Sequence, residues 1–282
     1  MAETQALCPA FAKRPSPPDQ IISMNIGFIG TGAIAQAIIQ GMCTCARAPD
    51  EIWVSPRNLE RAQQLAATFT QVKVADSNQS VVDHCDWVFI TVKPDIAEAV
   101  LAELRFSPGQ KVVNCVSTLS LAQAQALIGV PVALLKAIPL TPVALHLGPI
   151  AFTPPDPQLR NLFAPLGTAV AAPDEAALRS LAVVTAQIAP FYALQATIER
   201  WLKNQGLDPT EARGYVSSMF HALATLAMAD QAPSFETLLN EAATPGGLNE
   251  QALSQLQEAG WLTQLEASLD SIQTRLLEAG AG

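Results

Sequence analysis

The sequence predicts an α/β fold for the first half of the chain and an all-α fold for the second half. Two observations predict this division. Short apolar runs alternate with helical patterns between residues 25 and 152, whereas every pattern from Asp174 onward is helical. Short strands that alternate with helices are typical of βαβ units and a mostly parallel sheet. We therefore expect a flexible N-terminal arm at residues 1–23, an α/β domain at 24–155 and a helical domain at 156–282.

The predicted strands are short runs of apolar and β-branched residues. They span residues 25–29, 52–54, 72–74, 87–92, 111–116, 133–137, 149–152 and 167–171. The helices predicted in the first half show apolar residues at helical spacing. They span residues 33–42, 58–69, 95–104 and 119–127.

The helices predicted in the second half span residues 175–188, 191–205, 210–229, 235–242, 248–259 and 262–277. Asp174 and Asp208 are suitable N-caps, and Gly206 and Gly260 are suitable helix stops. Residues 216–228 are apolar around most of the helix, which predicts burial on all sides. A bundle of this size can hardly bury several such helices alone. We therefore expect these helices to form a homodimer interface, with a tightly packed monomer as the alternative.

Composition and charge exclude several classes of function. The chain of 282 residues has a net charge of −9, half of its residues are hydrophobic and only 15% are charged. This composition excludes general disorder. A nucleic-acid binder needs clustered Lys and Arg, so we expect neither nucleic acid nor an anionic membrane surface as a partner. The five cysteines are an odd number and show no metal-ligand spacing, so we predict no disulfide scaffold and no metal site.

The sequence also predicts a cytoplasmic location. Residues 1–23 lack the pattern of a signal peptide. An uncharged stretch at residues 181–198 is long enough to span a bilayer, but it contains Gln187, Pro190 and Gln195 and is only mildly apolar. We interpret it as a buried helix rather than a membrane span.

A glycine-rich motif indicates that the first domain binds a dinucleotide. Gly30, Gly32 and Ala35 form a GxGxxA pattern that ends the first predicted strand and opens a helix. In that context the first glycine permits a tight turn, the second admits a pyrophosphate, and the alanine lets helix and strand pack closely. The alternative is an ordinary glycine turn. The candidate residues in this loop are Gly30, Thr31, Gly32, Ala33 and Ile34.

The end of the second strand favours NADP(H) over NAD(H). An NAD site usually places a carboxylate there to hold the ribose hydroxyls. This chain has Ser55, Arg57 and Asn58 instead, a set that suits a 2′-phosphate. Alternatively, Ser55 and Asn58 only cap a helix and Arg57 is a surface charge. Other candidate cofactor residues stand at the ends of the fourth and fifth predicted strands; they are Val92, Lys93, Pro94 and Ser117. Lys93 either points toward the cofactor or lies in solvent.

Several stretches together resemble the pyrroline-5-carboxylate reductase family, NAD(P)H-dependent enzymes of proline biosynthesis. They are residues 27–35, 55–62, 90–94, 136–142 and 242–247, supported by residues 162–174 and 189–192. The resemblance implies a Rossmann NAD(P)-binding domain followed by an all-α C-terminal dimerisation domain. It also implies reduction of the C=N bond of pyrroline-5-carboxylate to give proline.

The chain departs from the family pattern on the substrate side. Leu140 stands where the family has an asparagine, Ser117 lies in an altered alanine-alanine-glycine stretch, and Leu248 and Asn249 replace two threonines. These departures leave two alternatives open. One is a divergent imine or ketone reductase with a less polar substrate, and the other is a catalytically silent NADP(H)-binding protein.

The resemblance implies that a proline-glycine-glycine turn binds the substrate carboxylate through the amides of the following helix. Free amides and the helix dipole do favour an anion there. The predicted substrate-binding residues are Thr244, Gly246, Gly247, Leu248 and Asn249. Asn249, which matches the family threonine that contacts the substrate nitrogen, is the candidate catalytic residue. Without the resemblance, this segment would be read as a turn between two helices. Hydride transfer to a protonated imine mostly needs positioning, and we nominate no general acid.

Overall fold

The protein contains one eight-stranded sheet, seen in a computed structural model that describes residues 24–229 and 231–280. The predicted arm at residues 1–23 lies outside the described residues. The strands are β1 (Asn25–Ile29), β2 (Glu51–Val54), β3 (Val72–Val74), β4 (Trp87–Ile90), β5 (Lys111–Asn114), β6 (Ala133–Pro139), β7 (Pro149–Thr153) and β8 (Thr168–Ala171).

Seven α-helices connect or follow these strands. They are α1 (Ala33–Thr44), α2 (Leu59–Thr68), α3 (Asn78–His84), α4 (Pro94–Glu103), α5 (Leu121–Ile128), α6 (Pro157–Phe163) and α7 (Glu175–Val184). The remaining described elements are helical. It comprises α8 (Ile188–Asn204), α9 (Pro209–Ala227), α10 (Phe235–Ala242), α11 (Leu248–Glu258) and α12 (Trp261–Gly280), with short 3-10 segments at Thr141–Leu145 and Thr185–Gln187.

The sheet has the strand order of a Rossmann fold. Its order is β3-β2-β1-β4-β5-β6-β7-β8, and β1 to β6 are all parallel. β7 is antiparallel to β6, and β8 is parallel to β7. An apolar core covers each face of the sheet: Phe28 stacks on Phe89 with ring centroids 4.9 Å apart on one face, and Ile29 and Ile90 belong to the core on the other. The predicted α/β fold class is confirmed.

The boundary between the two halves lies later than the sequence predicts. Described residues 24–182 and 273–280 form one compact unit, and residues 183–272 form the other. A division near residue 155 would remove α6 and β8 from the sheet to which they belong, because β8 pairs with β7. An ion pair of 2.8 Å between Lys111 Nζ and Asp156 Oδ2 also ties β5 to the start of α6. Residues 156–182 therefore belong to the sheet-containing unit.

Most helices in the second unit expose apolar side chains. Tyr192 is 64% exposed, Leu223 57% and Met228 70%. The single chain therefore does not provide the burial that is predicted for residues 181–198 and 216–228, since apolar periodicity does not say which molecule covers a helix. By length and composition, the helical segment Glu175–Asn204 could cross a membrane, and only 6% of its most apolar window is buried.

A close approach fixes the C-terminal half of α1 against the first 3-10 segment. A Cβ atom at Gly41 would lie 2.5 Å from the backbone oxygen of Val143, so only glycine fits. His146 Nε2 lies 3.0 Å from the Gly41 oxygen and 3.1 Å from Thr44 Oγ1. These contacts hold the helix that begins at the glycine-rich loop.

Replacing Gly41 by alanine is expected to destabilise the sheet-containing unit. Overpacking costs about 1–3 kcal/mol, which exceeds the roughly 1 kcal/mol that alanine gains over glycine within a helix. Urea unfolding followed by circular dichroism measures the change. Gln40→Ala, at the exposed neighbouring position, is the control and should change the free energy of unfolding by less than about 0.5 kcal/mol. Equal midpoints for the two variants would contradict the close approach.

Candidate active site

The ends of three parallel strands bring the glycine-rich loop together with two neighbouring loops. Because β1, β2 and β4 are in register, the residues that follow them meet at one edge of the sheet. The Gly30 N–H donates to Ser55 Oγ at 2.9 Å, and Thr91 Oγ1 donates to the Gly30 carbonyl oxygen at 2.9 Å. Gly30 is therefore held from both sides by hydrogen bonds.

The loop has the shape of a phosphate cradle. Gly30 has φ +105°, and a Cβ atom there would lie 2.8 Å from the Thr91 oxygen, so glycine is required. At Gly32 a Cβ atom would meet only the Thr91 oxygen, at 3.8 Å, which leaves space beside the backbone. Gly32 is the N-cap of α1 and has no side-chain cap, so the amides of the first turn point at this space.

An orphaned hydroxyl marks the same loop. Thr31 is 4% exposed, and its Oγ1 has no hydrogen-bond partner among the described residues. A buried polar atom without a partner usually implies a missing ligand or water. The cradle, the uncapped α1 and this hydroxyl together fit the pyrophosphate of a dinucleotide, which the amides of Gly32, Ala33 and Ile34 could bind.

The three residues predicted to bind a 2′-phosphate have different surroundings. Ser55 is 1% exposed and supports the glycine loop through Gly30 rather than capping a helix. Asn58 does cap α2, because its Oδ1 accepts from the Arg61 N–H at 3.3 Å. Arg57 is exposed and forms no ion pair or hydrogen bond with any described residue. Arg57 is the one cation of these three residues, and its guanidinium has no partner among the described residues.

The remaining predicted cofactor residues line the same edge of the sheet. Val92 is half-buried against the core, Lys93 is exposed at the N-cap of α4, and Pro94 is the first residue of that helix. Ser117 is exposed in the loop after β5. Buried Asn114 shapes that loop: its Nδ2 donates to the Leu119 oxygen at 2.8 Å, and its Oδ1 accepts from the Val116 N–H at 2.9 Å.

Sequence reasoning missed Asn114 and a partly buried ion pair beside it. Lys136 pairs with Asn114 across β5 and β6, is 8% exposed, and has its Nζ 3.1 Å from Glu175 Oε1. The Glu175 carboxylate also accepts from the Leu121 N–H at 3.1 and 3.2 Å. The pair therefore joins α5, β6 and α7. The sequence signal for both was a polar residue within an apolar strand, namely Asn114 in β5 and Lys136 in β6.

The thiols near the sheet are poor nucleophiles. Burial raises the pKa of Cys115 and of Cys85 to about 12, and burial followed by the charge of Cys45 raises that of Cys43 to about 11. Thiols with such pKa values remain protonated at neutral pH. The described residues contain no cluster of three or more His, Cys, Asp or Glu that could hold a metal ion.

The predicted substrate-binding residues all lie on one turn of the second unit. Gly246 has φ +72°, and Gly247 is the N-cap of α11 and donates its N–H to the Thr244 oxygen at 2.9 Å. Leu248 is 85% exposed. Asn249 Nδ2 donates to the Ala242 oxygen at 3.2 Å, which ties the candidate catalytic side chain to the end of α10.

A carboxylate of the chain itself already contacts this turn. Glu250 Oε2 accepts from the Gly246 N–H at 2.7 Å. Sequence reasoning did not identify Glu250. A Glu three residues after an N-cap usually contacts the N-cap N–H, whereas Glu250 contacts the N–H of the residue before the N-cap.

Comparisons with known proteins agree with this architecture. Residues 25–118 match the family described as NADP oxidoreductase, coenzyme F420-dependent, and residues 178–279 match the family described as pyrroline-5-carboxylate reductase dimerisation. Pyrroline-5-carboxylate reductase 2 of Bacillus subtilis is 25% identical over 246 residues, which cover 83% of this chain and 87% of that protein.

Solved structures share the fold. A pyrroline-5-carboxylate reductase from Coxiella burnetii has a TM-score of 0.82 at 20% identity, covering 92% of this chain and 99% of that one. The Plasmodium falciparum pyrroline carboxylate reductase with NADP bound has a TM-score of 0.77 at 16% identity, covering 91% and 98%. The match of the helical region to a family-specific dimerisation sequence and the similarity of the Bacillus relative across most of the chain support a member of the pyrroline-5-carboxylate reductase family.

Proposed function

We propose that the protein is an NADP(H)-dependent reductase of the C=N bond of a small cyclic imine, with pyrroline-5-carboxylate as substrate and proline as product. The observation that carries the proposal is the phosphate cradle at the start of α1, with its orphaned Thr31 hydroxyl. The reductases that are similar along most of the chain support the reaction type. When bound, NADPH supplies hydride to the imine carbon, and the imine nitrogen becomes an amine.

The chain's own residues bind and orient the reactants. The first-turn amides of α1 hold the pyrophosphate, and Gly30, fixed by Ser55 and Thr91, keeps that loop in place. A protonated imine carries its own positive charge, so hydride transfer to it needs no acid–base pair from the protein. Accurate positioning then accounts for most of the rate enhancement.

Arg57 is the residue that we propose to select NADP(H) over NAD(H). Its guanidinium is exposed and free of partners among the described residues, three positions after β2 ends. Arg binds phosphate through charge-assisted hydrogen bonds, and the end of β2 has no carboxylate that would repel a 2′-phosphate. The NADP in the Plasmodium reductase supports this choice.

We further propose a homodimer formed through the C-terminal helices. The exposed apolar side chains of α8 and α9 need a cover, and residues 178–279 match a dimerisation family. A second copy supplies this cover without a membrane. The net charge of −9 disfavours nucleic acid and anionic lipid surfaces, so a cytoplasmic enzyme fits best.

The direct test is NADPH oxidation by the purified protein in the presence of pyrroline-5-carboxylate. We expect imine-dependent loss of NADPH absorbance and an equal amount of proline by chromatography. A mixture without the imine is the control. A protein that binds NADPH but reduces no cyclic imine would overturn the proposed reaction and favour a silent binding protein.

Replacing Arg57 by alanine is expected to raise the Kd for NADPH about ten- to a hundredfold, because a charge-assisted hydrogen bond contributes about 1.5–3 kcal/mol. The Kd for NADH should change little, since NADH lacks the 2′-phosphate. Fluorescence titration measures both constants. Arg61→Ala is the matched control, because Arg61 is an exposed cation in the first turn of α2, four residues after Arg57. Equal weakening of both cofactors by Arg57→Ala would contradict selection by this side chain.

Replacing Leu223 by glutamate is expected to dissociate the dimer, because a charge buried in an apolar interface costs several kcal/mol. Light scattering coupled to size-exclusion chromatography gives the mass of each variant. Leu145→Glu introduces the same charge at a 68% exposed leucine of the first unit and should leave the dimer intact. A monomeric wild-type protein would contradict the proposed assembly.

A further inference from the structure

A buried amide side chain closes the turn that follows β5. Asn114, the last residue of that strand, is fully buried. Its Nδ2 donates to the Leu119 oxygen at 2.8 Å, and its Oδ1 accepts from the Val116 N–H at 2.9 Å. The Leu119 N–H also donates to the Val116 oxygen at 3.3 Å. One side chain therefore ties together both ends of the turn at residues 116–119.

The ends of this turn are anchored in the core, whereas its middle is exposed. Val116 and Leu119 are buried and belong to the apolar core on one face of the sheet. Between them, Ser117 and Thr118 are exposed. Because both ends of the turn are bonded to Asn114, these two central residues are presented in one conformation.

Strand register places this turn at the same edge of the sheet as the phosphate cradle. Ile29 pairs with Ile90, and Ile90 pairs with Asn114, so the ends of β1, β4 and β5 are level. The Cys115 N–H donates to the Ile90 oxygen at 2.9 Å, which continues this pairing up to the turn. Neighbouring strands lie about 4.8 Å apart, so β5 ends about 10 Å from the end of β1.

A dinucleotide in the cradle would extend to this turn. In a Rossmann fold the pyrophosphate lies at the central crevice, and the two nucleosides extend to opposite sides of it. Arg57, which follows β2, is the proposed contact of the 2′-phosphate on the adenosine half. β4 and β5 lie on the other side of β1, so the nicotinamide half extends toward the turn after β5.

We propose that Asn114 is a positioning residue for hydride transfer, because it holds residues 116–119 in the conformation that contacts the nicotinamide half of the cofactor. This inference rests on the proposed NADP(H) site. Ser117 and Thr118 supply hydroxyl and backbone groups for the nicotinamide carboxamide and its ribose, and Asn114 acts only through them. A displacement of about 1 Å at the reacting atoms is enough to slow the reaction greatly.

The experiment compares NADPH with adenosine 2′,5′-bisphosphate, which lacks the nicotinamide riboside. Asn114→Ala is expected to raise the Kd for NADPH about tenfold, because hydrogen bonds from the turn are lost. The Kd for the bisphosphate should stay unchanged, since that ligand does not reach β5. Isothermal titration calorimetry measures both constants. Both ligands are titrated into one preparation, so partial unfolding cancels in the ratio of the two Kd values.

Asn114→Ser tests whether the effect follows the hydrogen bonds of the turn. A serine hydroxyl can accept from an N–H two residues ahead, as an asparagine side chain does. This variant therefore keeps the bond to Val116 and loses the bond to Leu119. It should raise the Kd for NADPH less than Asn114→Ala, and kcat for imine reduction at saturating NADPH should fall in the same order.

Gln110→Ala is the matched control. Gln110 directly precedes β5, at the end of the strand that lies away from the glycine loop. Its Nε2 donates to the Val82 and Cys85 oxygens at 2.8 and 2.9 Å, and its Oε1 accepts from the Ser107 N–H at 2.7 Å. The substitution thus removes an amide that also ties backbone groups together, and it should leave the ratio of the two Kd values at its wild-type value.

An equal rise in both Kd values would show that Asn114 only stabilises the fold, and it would overturn the proposal. An unchanged Kd for NADPH would overturn it as well. A wild-type protein that binds neither ligand would contradict the NADP(H) site itself, and this inference with it. If both ligands bind but no imine is reduced, the proposed reaction fails, and the ratio of the Kd values still decides the role of Asn114.

Discussion

The hydrogen bond from the Gly30 N–H to Ser55 Oγ is the contact on which the candidate cofactor site depends. It joins the end of β1 to the end of β2, and Thr91 joins the same glycine to the end of β4. Since these strands pair in register, the loop cannot shift without disturbing the centre of the sheet. The position of the first turn of α1, and with it the direction of its free amides, follows from strand pairing.

The starts of α5, α11 and α1 differ in whether a carboxylate of the chain contacts them. At α5, Glu175 accepts from the Leu121 N–H and is neutralised by Lys136. At α11, Glu250 accepts from the Gly246 N–H and has no ion-pair partner among the described residues. At α1, no carboxylate is present and Gly32 gives no side-chain cap. Of these three helix starts, that of α1 is the one at which no carboxylate of the described residues makes a contact, and a pyrophosphate could bind there.

Local rules account for the parts of the fold that the sequence predicts well. The bounds of β1, β3 and α10 were predicted to the residue, and Asp208, Gly206 and Gly260 occupy the predicted cap and stop positions. The glycine loop was predictable because Gly30 permits a tight turn and Gly32 leaves space beside the backbone. Helices α3 and α6, at seven residues each, are too short for a periodic signal and were not predicted.

Long-range pairing accounts for what the sequence did not predict. β8 belongs to the sheet only because it pairs with β7, which no local pattern before residue 168 indicates. Lys136 and Glu175 meet across 39 positions of sequence. Apolar periodicity correctly identified the second-unit helices but could not say that the described chain leaves them uncovered.

The two candidate sites are held by separate sets of contacts. Hydride transfer to a protonated imine depends on positioning, and the cofactor loop is fixed by contacts within the sheet alone. The turn before α11 is fixed by contacts within its own helix pair, through Glu250 and Asn249. Sequence changes around Leu248 therefore act on this turn and leave the contacts of Gly30 in place.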